Sequence, residues 1–113
     1  MIVLNRCSEC YQESIKKCRN NSEEYIIRDI TIQVDLLFEV LESCTEILKL
    51  ELENVGFKKI PEYLFQNSLK IKIIKVTRNV IREIGKRTFK NLFELKVLNL
   101  SGNKIREAIK KTI

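Results

Sequence analysis

The sequence contains no histidine, which removes the commonest general base and the commonest metal ligand. Aromatic residues make up only 7%. None interleaves with the basic positions as a single-stranded nucleic-acid platform requires, so nucleic acid is not an expected partner. Glycine-rich phosphate loops, paired-carboxylate spacing and a nucleophile elbow are also missing, so no catalytic residue and no cofactor are expected. Long apolar runs are absent as well. Met1-Ile2-Val3-Leu4 is followed at once by Asn5-Arg6, far short of an export signal's apolar region or a membrane span. Any export signal is therefore expected upstream of these residues.

What is present is a chain of 113 residues, 44% hydrophobic and 32% charged. That is enough for one soluble domain with an apolar core, and it is unlike a disordered tail. The net charge of +6 is unevenly spread. Residues 1–46 carry 5 Lys/Arg against 9 Asp/Glu, whereas residues 47–113 carry 16 against 6. The C-terminal part could steer an acidic or glycan-bearing partner, or it is simply a solvated lysine-rich surface. All four cysteines, Cys7, Cys10, Cys18 and Cys44, lie in the first half. Clustering of this kind suits a cross-linked cap, with three pairings open. The alternative is chemistry at Cys7-x-x-Cys10, either as a redox dithiol or as half of a zinc site completed by Cys18 and Cys44.

Three segments align without gaps. Leu95-Lys-Val-Leu98-Asn-Leu100-Ser-Gly-Asn103-Lys-Ile105 repeats the pattern of Ile71-Lys-Ile-Ile74-Lys-Val76-Thr-Arg-Asn79-Val-Ile81, and both match Ile47-Leu-Lys-Leu50-Glu-Leu52-Glu-Asn-Val55-Gly-Phe57. The starts at 47, 71 and 95 are each 24 residues apart, and a fixed period of this length marks stacked supersecondary units. Apolar residues at the fourth and sixth places alternate with polar ones, the period of a short strand with one buried face. Leu50, Leu52, Ile74, Val76, Leu98 and Leu100 should therefore point inward. Asn79 and Asn103 fall at the ninth place, where the chain leaves the strand, and their amides should bond turn backbone into a ladder. Val55 occupies that place in the first copy, which predicts a locally weaker ladder. Phe65 and Phe89 should fill the far side, with Ile60-Pro61 leading into it in extended form. Upstream, Ile27-Arg-Asp-Ile30-Thr-Ile32 fits the strand template with Asp35 at the asparagine place, which predicts a degenerate repeat over 27–46.

This pattern resembles the leucine-rich-repeat family, specifically its 24-residue extracellular type. The resemblance implies an α/β-type solenoid, a right-handed superhelix with short parallel strands on its concave face and irregular or 3₁₀ segments on the convex side. It also implies a cysteine-bearing N-terminal cap over residues 1–26, with repeats at 27–46, 47–70, 71–94 and an incomplete one at 95–113. With its end uncapped, the array is expected to continue in a longer protein or to self-associate there.

The resemblance implies no enzymatic activity. It points to a protein-recognition module, extracellular or at the cell surface, akin to adhesion, guidance and Toll-like receptor ectodomains. Carried over residue by residue, the concave contact surface comprises Lys49, Glu51 and Glu53, then Ile73, Lys75, Thr77 and Arg78, then Val97, Asn99 and Ser101. Ile73 and Val97 would form an apolar centre ringed by charge, although β-branched residues suit strands in any case. Asn20-Asn21-Ser22 and Asn99-Leu100-Ser101 are glycan acceptor sequences. Of these, Asn20 is the candidate, because a glycan on Asn99 would block the face. The competing reading is a cytosolic scaffold or enzyme-regulating repeat protein with reduced cysteines.

Overall fold

The computed structural model describes residues 1–5, 13, 15, 18 and 23–105. Alternation of apolar and polar residues produces five parallel strands in one sheet. In spatial order these are β1 (Ile2–Asn5), β2 (Glu24–Arg28), β3 (Lys49–Glu53), β5 (Ile73–Thr77) and β7 (Val97–Asn99). Consecutive repeats lie side by side in register, with Leu50 opposite Ile74 and Leu52 opposite Val76. The inward residues Leu50, Leu52, Ile74 and Val76 are fully buried, as their places predict. Leu98 and Leu100 are half-buried and pack against the same core.

The register corrects the reading of the first half. Tyr25 pairs with Leu50 and Ile27 with Leu52, so the step between these repeats is 25 residues and the strand runs Glu24–Arg28. Ile30 and Ile32, expected inside a strand, instead follow it, and both are buried. They hold the ninth and eleventh places, as Val55 and Phe57 do one repeat later. Because Ile27, Ile30 and Ile32 share the spacing of Ile47, Leu50 and Leu52, the template fits twice, and burial of Tyr25 decides between the two frames. A boundary between residues 26 and 27 therefore falls inside β2, and β1, expected within a cap, is a strand of the same sheet.

The crossovers differ as well. After β3 and β5 the chain forms two-residue strands, β4 (Lys59–Ile60) and β6 (Glu83–Ile84), paired in parallel. Runs of i→i+3 turns follow, with Leu64, Gln66 and Ser68 donating to Pro61, Tyr63 and Phe65, and Thr88, Lys90 and Leu92 repeating the scheme. After β2 the crossover is instead a regular helix, α1 (Val34–Ser43), where irregular structure was expected. Leu37, Val40 and Leu41 are its buried residues, at the spacing of one helical face. Asp35, assigned above to the asparagine place, sits in the first turn of α1, where its charge complements the helix dipole. Phe65 and Phe89 are buried and stack at 5.8 Å, and Phe38 meets Tyr63 edge-on at 5.2 Å.

Cys18 and Cys44, 26 positions apart in sequence, are joined in a disulfide with Cα atoms 5.5 Å apart. Both are buried. Cys44 ends α1, so the bridge ties that crossover to the chain preceding β2. Cys7 and Cys10 lie outside the described residues.

Candidate functional site

The place after each strand sets the geometry of the face. Asp29, Asn54, Arg78 and Gly102 occupy the eighth place of successive repeats, and all have positive φ (55°, 52°, 55° and 73°). Their backbones turn so that the amides of Asp29, Asn54 and Arg78 donate to Glu53, Thr77 and Ser101 of the next repeat. One residue on, the Asn79 carboxamide oxygen accepts from the amides of Val55 (2.9 Å) and Phe57 (3.2 Å), and its nitrogen donates to the carbonyls of Leu52 and Thr77. Asn103 does the same work one repeat later, accepting from Ile81 and donating to Val76 and Leu100. Each asparagine thus reaches backwards. The weak junction caused by Val55 consequently lies on its N-terminal side, where Ile32 donates to the Val55 carbonyl and an exposed Asn54–Asp29 contact stands in for the buried ladder.

With the turns pinned, outward residues form rows across the strands. One row runs Glu24, Lys49, Ile73, Val97, and the next runs Val3, Ile26, Glu51, Lys75, Asn99. Arg28, Glu53 and Thr77 make a third, with Ser101 beside it through the Arg78 amide. The expected residues Lys49, Glu51, Glu53, Ile73, Lys75, Thr77, Val97 and Asn99 are therefore brought together on this face, with Arg78 and Ser101 at its margin. Asn20 lies outside the described residues. Val3, Glu24, Ile26 and Arg28 share the face but are not among the expected contacts, because the misplaced frame puts the first three in the cap and Arg28 at the second place of the degenerate repeat. The alternations Ile2-x-Leu4 and Tyr25-x-Ile27 were the available signal.

Electrostatically the face has two halves. Arg28 pairs with Glu51 (3.3 Å) and Glu53 (3.4 Å), Arg78 with Glu53 (3.2 Å), and Lys49 with Glu51 (3.9 Å). The β2–β3 half is therefore internally neutralised. On the β5–β7 half, Lys75 has no carboxylate partner among the described residues, and it lies between the Ile73/Val97 pair and Thr77. Val97 is 42% exposed. The Asn99 side chain accepts from the Ser101 amide at 3.0 Å.

Among the described residues no group of three or more metal-ligating side chains converges, and no helix is long and apolar enough to cross a membrane. Residues 45–105 match the family described as leucine rich repeat. No curated protein matches the chain.

Proposed function

The chain belongs to the leucine-rich-repeat family, and from that premise we propose that it is a non-catalytic protein-recognition module. Its binding surface is the outward, concave face of the parallel sheet. The observation that carries this reading is the β5–β7 half, where a lysine with no carboxylate partner among the described residues adjoins two apolar side chains that stand opposite one another. Such a surface contributes apolar burial at its centre and charge selection at its edge. The preferred partner is a protein that presents a carboxylate or a sulphated group to Lys75 and an apolar side chain to Ile73 and Val97. Lys49, Glu51, Glu53 and Arg78 are already paired, so they present a fixed charge pattern rather than free charges.

The Cys18–Cys44 bridge supports placement in a secreted or receptor ectodomain array, because disulfides persist in oxidising compartments. The competing cytosolic scaffold would keep these thiols reduced. Non-reducing mass spectrometry of protein recovered from its native source decides between them. Free Cys18 and Cys44 in that material would remove the extracellular reading.

For the binding face, Lys75→Ala should weaken an acidic partner about tenfold and flatten the salt dependence of its affinity. Val97→Ser should weaken it by a similar factor without changing that dependence. Unchanged affinity in both variants would exclude the face.

A further inference from the structure

The margin of the sheet where the strands begin carries a second surface. There the chain makes two identical turns, closed by the Ile71 amide on the Ser68 carbonyl and the Leu95 amide on the Leu92 carbonyl, each at 3.2 Å. All four of these end residues are buried, which forces the two middle residues of each turn outward. Turn middles are normally polar or glycine, for backbone reasons. Here the first of them is Leu69, 54% exposed, and then Phe93, 87% exposed, the most exposed large hydrophobic side chain among the described residues. Nothing in the turn's backbone calls for either, and the two occupy equivalent places in successive turns, 24 residues apart.

The second middle residues are Lys70 and Glu94. Lys70 binds Glu46 at 2.6 Å, and its pKa is raised first by that hydrogen bond and charge, then by the charge of Glu94. Lys70 thus pairs with Glu46, while Glu94 acts on it only through its charge. At the adjacent strand entry, Lys72 and Lys96 stand next to one another, since their successors Ile73 and Val97 are paired and the Lys96 amide donates to the Lys72 carbonyl at 2.8 Å. Neither ammonium has a carboxylate partner among the described residues. Two protruding apolar side chains thus stand beside two unmatched cations.

We propose that this strand-entry margin docks an acidic protein segment that inserts a leucine or aromatic side chain between Leu69 and Phe93 and sets carboxylates against Lys72 and Lys96. Charge complementarity selects the acidic occupant. The carboxylates of Glu46 and Glu94 favour a peptide over an anionic membrane, because a peptide places its charges one by one whereas a lipid surface would press against them. The surface adjoins the concave face through Lys72 and Lys96, which precede Ile73 and Val97, but its apolar contacts at Leu69 and Phe93 are its own.

Selection of short random displayed peptides on the immobilised chain tests this. The enriched sequences should combine an aromatic or leucine residue with neighbouring acidic ones. Their affinity should fall at least about tenfold in Phe93→Ser and in Lys72→Glu/Lys96→Glu, and hold in Lys75→Ala and Val97→Ser, which report on the concave face. Circular dichroism of each variant checks folding, and Phe93→Leu should retain binding. Enrichment without acidic residues, or binding indifferent to Phe93, overturns the proposal. So does stronger binding to phosphatidylserine vesicles than to any peptide, or concentration-dependent dimerisation that Phe93→Ser abolishes.

Discussion

At the eighth place the backbone is left-handed whether the residue is aspartate, asparagine, arginine or glycine. Aspartate and asparagine tolerate that conformation, and glycine adopts it freely, but arginine carries a strain of about 1 kcal/mol there. Arg78→Gly should therefore raise stability by roughly 0.5–1 kcal/mol in urea unfolding, once loss of the exposed Glu53 pair is allowed for. Gly102→Ala should cost about 1–2 kcal/mol, because a Cβ there also meets the Arg78 backbone at 3.0–3.2 Å. Asn79→Ala should cost more, about 2–4 kcal/mol, by stranding the amides of Val55 and Phe57 and the carbonyl of Leu52. The opposite sign is expected where a buried hydroxyl has no partner. Ser68 stands in the place of Cys44 and Leu92, and Thr88 in that of Leu64, with neither oxygen hydrogen-bonded among the described residues. Ser68→Ala and Thr88→Val should each raise the urea midpoint, by about 1 kcal/mol or less in stability.

Among the elements, α1 and its cross-link set the first crossover apart from the two that follow. Closing a loop of this length through Cys18 and Cys44 should stabilise the fold by about 3.5 kcal/mol through the unfolded chain. Reductant should therefore lower the urea midpoint of the native protein by more than that of Cys18→Ala/Cys44→Ala, in which only Cys7 and Cys10 are left to respond. On the turns, the Glu46–Lys70 pair raises the lysine pKa, so its small contribution is complete below the lysine's unfolded pKa, provided Glu46 is ionised, and is lost as pH climbs through the raised folded value. Glu46→Gln should lower that value in a lysine side-chain NMR titration.

How far these elements can be read from sequence depends on how many residues restate the pattern. Leu50, Ile74 and Leu98 restate it at equal intervals, so β3, β5 and β7 and their outward rows follow directly. The β2 frame has two solutions, since Ile27, Ile30 and Ile32 imitate a strand while filling a turn, and only burial of Tyr25 separates them. Helix α1 is not legible on the repeat template, which places its first-turn Asp35 at the asparagine turn; only the spacing of Leu37, Val40 and Leu41 marks it. The strand-entry surface could not be anticipated, because an apolar residue at Leu69 or Phe93 becomes unusual only once the turn has pushed it outward.

Over the whole molecule, the core is continuous from Ile2 to Leu95, but its reinforcement is not. Repeats of this kind gain stability from themselves and from their nearest neighbours. One stretch is bound by the Cys18–Cys44 bridge and the other by the carboxamides of Asn79 and Asn103. Neither device crosses from the Ile32 turn to the Val55 turn. Hydrogen exchange should show the Ile32 amide less protected than those of Val55 and Phe57, with Val55→Asn narrowing the difference. Equal protection in the parent chain would show that apolar contact alone holds the junction. If exchange shows that difference, the junction is a crease between two stiffer plates. A partner spanning both plates would then fix the angle between them, and its affinity would carry the cost of that bend.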